Sequence, residues 1–464
     1  MSTSNRFDGS SEMIRDRGTS TRRFRRLMLS AALAALVTAP AAAQVPAPPQ
    51  ATPIALTGAT IHTVTNGVIE NGTIVFANGV ITAIGGSDVA VPAGAQRVDA
   101  TGKHIYPGLI DGHSAMGLAE IGAVDVTNDT DELGDFTPNV RAELAFHPES
   151  RHIGTARSNG VLVTLSTPEG GLVSGLSAAM MLDGWTWETM TVKSGAALNV
   201  SWPDPDGDDG NGWGGGDDDD DEEEEPSYEE QIRELRNFFA RARAYRDAQA
   251  AGTGYDTDAR FAAMVPALNG EVPVIVDANS VQQIQDAIAW AEAEDVRIIV
   301  RGGEDALYVA DHLAARQIPV LLTTVMDGPN RDWEPIDGNY ALPAKLHERG
   351  VRFAITGGSS APYTHRLPWE AGVAVAYGLP ADEALRAVTI YPATFLGIDD
   401  RVGSLETGKD ATLLITTGNP LDFMANIEQA YVQGREIDMM DAFKELFEKY
   451  SEKLRQIKIT TDRD

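Results

Sequence analysis

The sequence predicts an α/β protein, because short apolar strands alternate with amphipathic helices through the middle of the chain. Val272–Asp277 reads VPVIVD, and the helix that follows begins with Ser280 and Gln283 at the spacing of a capping box. Similar runs recur as RIIV, IPVLLTT and RFAIT. Near-continuous apolar strands separated by helices are typical of a parallel sheet buried on both faces. The number of units fits a β/α barrel, although periodicity alone does not separate a barrel from an open sheet.

Both flanks of this middle section have β-type patterns. ALTGATIHTV and GTIVFANGVITAIG alternate apolar and polar residues around Thr-Gly and Asn-Gly turn signals. VGSLETGKDATLLITTGNPL and EQAYVQGREID have the same texture much later in the chain. We therefore expect one small sheet domain built from both ends of the chain.

The first 43 residues predict an export signal. Four arginines between Arg22 and Arg26 precede the apolar run Leu27–Val37, which is too short to span a bilayer, and an A-x-A cleavage pattern ends before Gln44. The segment Thr21–Phe24 has some twin-arginine character without the usual spacing, so both export routes stay open. A periplasmic or secreted protein is expected, with no membrane span after cleavage.

Charge and cysteine content exclude several classes of protein. The 464 residues carry a net charge of −31, and residues 1–43 contribute +4, which leaves −35 for the rest. Such an acidic chain is not expected to bind nucleic acid or anionic membranes, because phosphate neutralisation needs Lys and Arg. The chain has no cysteine and hence no disulfide, thiolate nucleophile or thiolate metal site.

An acidic run from Asp204 to Glu225 interrupts the α/β pattern. It holds nine Asp and four Glu, which repel one another and have no core to bury, so we expect a disordered insertion. Calcium binding is the sharper alternative, because Asp204, Asp206 and Asp208 have the spacing of an EF-type loop. Asp209 then stands where that loop needs a glycine, and no Glu follows at the right distance.

The segment YPGLIDGHSAMG (106–117) carries the chemistry that we expect. A His-x-His at the end of a strand places two imidazoles on one side, because side chains alternate with period two. Here His113 is present, and Ala115 stands where the second histidine would be. PGLIDGHSA, together with ALRAVTIYPATFLGIDDRVGSLETGKDATLLI (384–415), resembles the amidohydrolase superfamily, and its imidazolonepropionase-like branch most.

The resemblance covers residues 54–437 and implies a (β/α)8 TIM-like barrel plus a small β-sandwich formed from both chain ends. The active site would lie at the carboxyl ends of the barrel strands, and the chemistry would be metal-assisted hydrolysis of amide or other C–N bonds. The expected organisation is a signal peptide (1–43), a β-sandwich (52–104 and 400–437), a barrel (105–399) with the acidic insertion (203–226), and a C-terminal helix (438–464).

Most of the metal ligands that the resemblance implies are replaced in this chain. His113 matches the first ligand of strand 1. Lys193 lies near the strand-4 position, where the alignment is loose. Ser201-Trp202 stand where related sequences carry an acidic ligand. The remaining positions, in strands 5, 6 and 8, hold Asp277, Arg301 and Gly357.

A metal site therefore has few donors, since zinc needs at least three protein ligands. His113 and Asp277 are the weak candidates, so we expect either no cofactor or a weakly bound divalent metal, zinc if any. Arg301 would place a permanent positive charge where the cation should sit. Asp111 and Asp277 are expected to pair with Arg301 instead.

Several residues keep two interpretations. His113 is either a ligand or, as we favour, a remnant held by a hydrogen bond. Asp111 either caps backbone N–H groups or pairs with Arg301; as a general base it would need an electrophile-stabilising group such as Arg301. His365 and Tyr363, on a loop expected to overhang the barrel mouth, are candidates for binding a substrate carboxylate.

Three functions follow. The first is an exported hydrolase of C–N bonds in small-molecule or short peptide-like substrates, with a degraded metal centre. The second is a non-catalytic homologue that serves as the partner subunit of an active amidohydrolase, in a homo- or hetero-oligomer. The third is a metal-free binder of small anionic ligands that uses Asp111, His113, Arg301 and His365. Whether this chain is an enzyme stays open at this point.

Overall fold

The computed structural model describes residues 45–205, 226–253, 256–323 and 325–461, with side chains as far as Lys458. The predicted signal peptide (1–43) and most of the acidic insertion lie outside these residues. In chain order the strands are β1 (Ile54–His62), β2 (Val68–Ala77), β3 (Val80–Gly85), β4 (Gln96–Asp99), β5 (His104–Pro107), β6 (Leu109–Ser114), β7 (Val161–Ser166), β8 (Val173–Met181), β9 (Thr191–Ser201), β10 (Val274–Ala278), β11 (Ile298–Gly302), β12 (Val320–Leu322), β13 (Phe353–Ile355), β14 (Leu413–Thr416), β15 (Ile427–Val432) and β16 (Arg435–Ile437).

The helices lie mainly between the later strands. They are α1 (Ala142–Ala145), α2 (Arg151–Ser158), α3 (Trp187–Met190), α4 (Tyr228–Ala250), α5 (Ala259–Leu268), α6 (Val281–Glu294), α7 (Ala310–Arg316), α8 (Gly338–Glu348), α9 (Leu367–Ala376), α10 (Ala381–Ala387), α11 (Ile390–Leu396) and α12 (Ala442–Thr461), with short 3-10 helices at Asp125–Thr127, Ala306–Val309 and Ala361–Arg366. The capping box predicted at Ser280 and Gln283 begins α6. In the described part of the chain, no helix has the length and apolar character needed to cross a bilayer.

Eight strands form the barrel sheet, in the order β13-β12-β11-β10-β9-β8-β7-β6. The two outer strands, β13 and β6, contact each other, so the sheet nearly closes on itself. Every residue of β6 and β7 is buried, as expected for strands covered on both faces. The prediction of a mixed α/β fold with a barrel sheet is thus confirmed.

One strand departs from the strict β/α alternation that the resemblance implies. β8 runs antiparallel to both of its neighbours, β7 and β9, whereas the other pairs in the sheet are parallel. The physical reason is the connection between β7 and β8, which spans only residues 167–172. Parallel neighbours need a crossover of about a dozen residues or more, so a chain this short can only turn back as a hairpin.

A second sheet joins strands from both flanks of the barrel. Its order is β16-β15-β14-β5-β1-β2-β3, with β4 paired to β1. The centre is the antiparallel pair β14 and β5, in which Leu413 faces Pro107. Residues from both flanks, including Leu56, Ile74, Phe76 and Tyr431, form its buried cluster. The sandwich arrangement stays a prediction.

A buried ion-pair cluster ties the two sheets together. Asp183 follows β8 and is 2 % exposed. Its carboxylate lies 2.9 Å from Arg157 of α2 and 3.0 Å from Arg435 of β16. Arg435 also donates to the carbonyl oxygen of Asp183 at 2.9 Å. One carboxylate thus pairs with two guanidinium groups where the sheets meet.

We expect Asp183→Asn to lower the free energy of unfolding by about 3–5 kcal/mol, because it leaves two largely buried guanidinium charges without their carboxylate. Urea unfolding measures the change. The control is Asp311→Asn, which removes an exposed ion pair with Arg349 (3.3 Å) and should cost less than about 1 kcal/mol. Equal effects of the two substitutions would contradict the structural role of Asp183.

Candidate active site

The candidate site lies at the carboxyl ends of the barrel strands. Asp277 of β10 and Arg301 of β11 are directly paired in the parallel register, so their side chains leave the sheet together. His113 comes from the end of β6, and the closure of the barrel brings it to the same place. Three of the sequence-predicted residues are therefore in contact, as expected for side chains at one end of a barrel.

The Arg301 guanidinium is the centre of the site. It forms an ion pair with the Asp277 carboxylate, and its Nη1 lies 2.8 Å from Nε2 of His113. Nη1 also lies 3.6 Å from a carboxylate oxygen of Glu169. Burial lowers the pKa of Arg301, but the Asp277 and Glu169 carboxylates raise it more, so the net direction is upward. We name Arg301, Asp277, Glu169 and His113 the guanidinium cluster.

His113 is neutral in this cluster. Its side chain is fully buried, and burial together with the neighbouring Arg301 charge holds the pKa of His113 well below its usual range. Because a guanidinium can only donate hydrogen bonds, the contact at 2.8 Å makes Nε2 of His113 the acceptor. The lone pair that would bind a metal is thus already used by Arg301.

Glu169 is the residue that sequence reasoning missed. It lies in the short β7–β8 connection, and its Oε1 approaches both Arg301 (3.6 Å) and His113 (3.8 Å). Pairing of Asp111 with Arg301 was one of two interpretations of the sequence, and in the described part of the chain Glu169 takes that place instead. The sequence did contain a signal for Glu169: in TPEGG, a charged residue stands three positions after a buried strand. In a barrel, the active-site loops meet at this end of the strands.

Asp111 caps backbone N–H groups, which was the other interpretation. Its Oδ1 accepts from the N–H groups of Gly357 (3.3 Å) and His113 (3.4 Å). Oδ2 is buried and has no hydrogen-bond partner within the described ranges. Burial raises the pKa of Asp111 to about 8. The carboxyl group therefore keeps its proton at neutral pH and cannot act there as a general base.

Gly357, the last of the expected ligand positions, leaves no room for a side chain. A Cβ at this residue would lie 2.8 Å from the carbonyl oxygen and 2.9 Å from Cα of Thr364, and 3.0 Å from the carbonyl oxygen of Tyr363. These atoms belong to the 3-10 helix Ala361–Arg366, which lies over the end of β13. An Asp here would require the backbone of that helix to move.

Two other expected ligand positions, Ala115 and Lys193, supply no donor at the barrel mouth. Ala115 follows β6 with its N–H bonded to the carbonyl oxygen of Ser359 at 2.9 Å. Lys193 lies in the amino-terminal part of β9, at the opposite end from Arg301, and donates to the carbonyl oxygen of Leu396 at 2.8 Å. Lys193 is therefore excluded as a ligand at the barrel mouth.

His365 and Tyr363 lie on the 3-10 helix Ala361–Arg366, away from the guanidinium cluster in their described contacts. The His365 ring packs against Trp369 (5.4 Å between centroids) and Phe443 (6.1 Å). The Tyr363 ring lies under the Arg366 guanidinium at 5.0 Å. Their role in substrate binding stays a prediction.

The residues present do not fit a metal ion. Among the described residues, no group of three or more His, Asp or Glu side chains is arranged to hold one. The free space beside Arg301 measures about 10 Å³, which is room for about one water molecule. It is lined by Pro168, Glu169, Ser174, Asn199, Val200, Ser201, Ile275, Asp277 and Arg301.

Comparison with known proteins defines the class of fold. The model of the Amidohydrolase family matches residues 278–442. An amidohydrolase structure from Thermotoga maritima MSB8 superposes with a TM-score of 0.73 at 24 % identity, covering 83 % of this chain and 99 % of that one. The structure of molinate hydrolase gives a TM-score of 0.53 at 15 % identity, covering 84 % and 95 %. The chain thus has the fold of the amidohydrolase superfamily.

Its homologues are amidohydrolase-superfamily hydrolases. The amidohydrolase tasK of Hapsidospora irregularis is 24 % identical over 403 residues, which is 78 % of this chain and 39 % of tasK. N-acetylglucosamine-6-phosphate deacetylase of Haemophilus influenzae is 51 % identical over 41 residues, 9 % of this chain and 11 % of that enzyme. The chain thus spans about two fifths of the length of tasK. Membership of the imidazolonepropionase-like branch stays a prediction.

The protonated Asp111 makes stability depend on pH. With a folded pKa of about 8 against about 4 in an unfolded chain, the folded state keeps a proton that the unfolded state has lost. This contribution to stability is complete below about pH 4 and is lost as the pH rises through about 8.

We expect the free energy of unfolding to fall between about pH 5 and about pH 8.5 in the wild type and to fall less in Asp111→Asn, which carries no titrating proton. Urea unfolding across this range measures it. Asp311→Asn, at an exposed carboxylate, should follow the wild-type profile. Parallel profiles for wild type and Asp111→Asn would contradict the raised pKa.

Proposed function

We propose that this chain is an exported protein of the amidohydrolase superfamily, from the lineage that hydrolyses C–N bonds, in which an ion-pair cluster has replaced the metal centre. The observation that carries this proposal is the contact between Arg301 and His113. A guanidinium that donates to Nε2 of the one remaining strand-1 histidine occupies the coordination position that a metal would need.

The donor chemistry supports the same conclusion. A catalytic zinc site needs three protein ligands and an open position. Here the acceptor nitrogen of His113 is used, and Asp277 is engaged by Arg301. Arginine keeps its charge at all relevant pH values, so Arg301 does not release His113 and Asp277 by losing a proton. We therefore propose that this chain does not carry out the metal-dependent hydrolysis of its lineage.

The two alternatives fare differently. Binding of a small anion at Arg301 finds little support, because Asp277 and Glu169 already face the guanidinium and the free space is about 10 Å³. The partner-subunit role is the second candidate. This role requires the folded chain but no bound metal. The exposed apolar side chains of α12 favour a protein partner.

Metal analysis of the purified protein tests the proposal. We expect zinc, manganese and iron each well below one equivalent per chain, because the donors are engaged by Arg301. Elemental mass spectrometry after exhaustive dialysis is the measurement. Near-stoichiometric metal that disappears in His113→Ala would show that the site binds metal and would overturn the proposal.

A restored site provides the matched control. Ala115→His combined with Arg301→His removes the guanidinium and adds two imidazoles beside His113. Zinc should then raise the Tm of this variant and leave that of the wild type unchanged, because only the variant has three donors. A similar shift in both proteins would mean that zinc binds elsewhere.

Export is tested by the amino terminus of the protein in its native cell. We expect the extracytoplasmic form to begin at Gln44, after the A-x-A pattern. Amino-terminal sequencing of the fractionated protein is the measurement, and Arg22→Gln with Arg23→Gln separates a twin-arginine route from the general one. A cytoplasmic chain that retains residues 1–43 would contradict export.

A further inference from the structure

The last helix of the described chain leaves a row of large apolar side chains exposed. In α12, Phe447 is 72 % exposed and Leu454 is 67 % exposed. Such a surface is unusual for a helix in water, because most helices in proteins are stabilised by packing of their apolar face. We name this row the α12 stripe; its members are Phe443, Leu446, Phe447, Tyr450, Leu454 and Ile457.

Basic residues flank the stripe. Counting Phe447 as position a of a heptad places Tyr450 and Ile457 at d and Leu454 at the next a. Three of the e and g positions between residues 444 and 458 then hold Lys444, Lys453 and Lys458, and the other two hold Leu446 and Ser451. With five basic and three acidic residues, α12 carries +2 in a chain of net −31, which leaves −33 elsewhere. The stripe thus suits an apolar surface with acidic surroundings.

The chain itself contains such a surface. The segment of residues 119–136, which follows β6 and which we name the β6–α1 segment, exposes Val126 (91 %) and Leu133 (100 %) together with Ile121 and Val124. It contains no Lys or Arg, and within the described ranges none of its acids forms an ion pair. The six acids are Glu120, Asp125, Asp129, Asp131, Glu132 and Asp135.

Helix α2 lies between these two surfaces. Nε2 of His152 in α2 is 2.9 Å from the carbonyl oxygen of Glu120, at the start of the β6–α1 segment. α12 also contacts α2, and Phe443 at its start packs against His365. Two complementary surfaces on one side of a subunit are what a two-fold dimer requires, because each copy offers both halves of the contact.

We propose that the protein forms a two-fold dimer in which α12 of each copy docks on the β6–α1 segment of the other. The apolar stripe then covers the exposed Val126 and Leu133 side chains, and the flanking lysines face the exposed carboxylates of the β6–α1 segment. At roughly 100 Å² for each of six side chains on two helices, the apolar part alone approaches the area of a standard interface, about 1,200–2,000 Å².

Two other occupants fit less well. A symmetric pair of α12 helices would place lysines against lysines at the flanking e and g positions. Helix α12 by itself could bind an anionic membrane surface, because its apolar side chains are flanked by lysines. The same anionic surface would repel the rest of the chain, which carries a net charge of −33.

The test is the mass of the purified protein in solution, by light scattering after size-exclusion chromatography. We expect a dimer that dissociates to a monomer in Phe447→Glu with Leu454→Glu, and that weakens as salt rises. Glu445→Gln, on the opposite face of α12, is the matched control and should remain dimeric. Thermal unfolding confirms that each variant is folded.

Charge reversal identifies the docking site. One variant carries Lys444→Glu, Lys453→Glu and Lys458→Glu; a second carries Asp129→Lys, Asp131→Lys and Glu132→Lys. Each alone should be monomeric, since like charges would face each other in the docked state. Mixed in equal amounts, the two should form a dimer, because each reversed surface then meets an opposite charge on the other copy.

Three results would overturn the proposal. A wild type that is monomeric at tens of micromolar would exclude the homodimer. The same holds if this monomer binds only a related amidohydrolase chain. A segment variant that stays dimeric would indicate helix–helix pairing. A monomer that sediments with vesicles of three parts phosphatidylcholine to one part phosphatidylglycerol would indicate membrane docking. These readouts do not depend on the metal content of the barrel.

Discussion

The position of one guanidinium group determines the chemistry of the barrel mouth. A buried positive charge is tolerated only with carboxylates and hydrogen-bond acceptors around it. Arg301 obtains these from three different strands or their connections: Asp277, Glu169 and the neutral His113. Each group that satisfies the charge is thereby removed from other chemistry. The same contacts that satisfy Arg301 therefore engage His113 and Asp277, and the free space beside the guanidinium measures about 10 Å³.

The irregular strand of the barrel is part of this arrangement. Since the connection after β7 is too short for a crossover, the chain turns back as β8, and the turn itself carries Glu169. A helical crossover would have carried the chain away from the barrel mouth at this point. The local departure from β/α alternation thus supplies the second carboxylate that the buried Arg301 needs.

Sequence patterns predicted the α/β class and the pairing of Asp277 with Arg301, and they placed His113 at the same end of the barrel, because strand ends in a barrel converge on one face. They did not predict the antiparallel β8 or the role of Glu169, since TPEGG reads equally well as a turn. For Asp111 the sequence allowed two kinds of partner, Arg301 or backbone N–H groups. The folded chain decides between them, because the N–H of Gly357 donates to the Asp111 carboxylate. Lys193 was misplaced because β9 is eleven residues long, and a position on it cannot be assigned to either end of the sheet from the sequence.

Gly357 also limits how a metal centre could be engineered into this barrel. At residues 115 and 301, single substitutions would introduce imidazoles. At 357 the backbone of Thr364 and Tyr363 has closed over the position to within 3.0 Å of where a Cβ would stand. An aspartate could be accommodated there only if the overlying helix were displaced, because its Cβ would otherwise clash with that backbone. An engineered metal site in this barrel would therefore have to draw its ligands from the other strands or rebuild the 3-10 helix Ala361–Arg366.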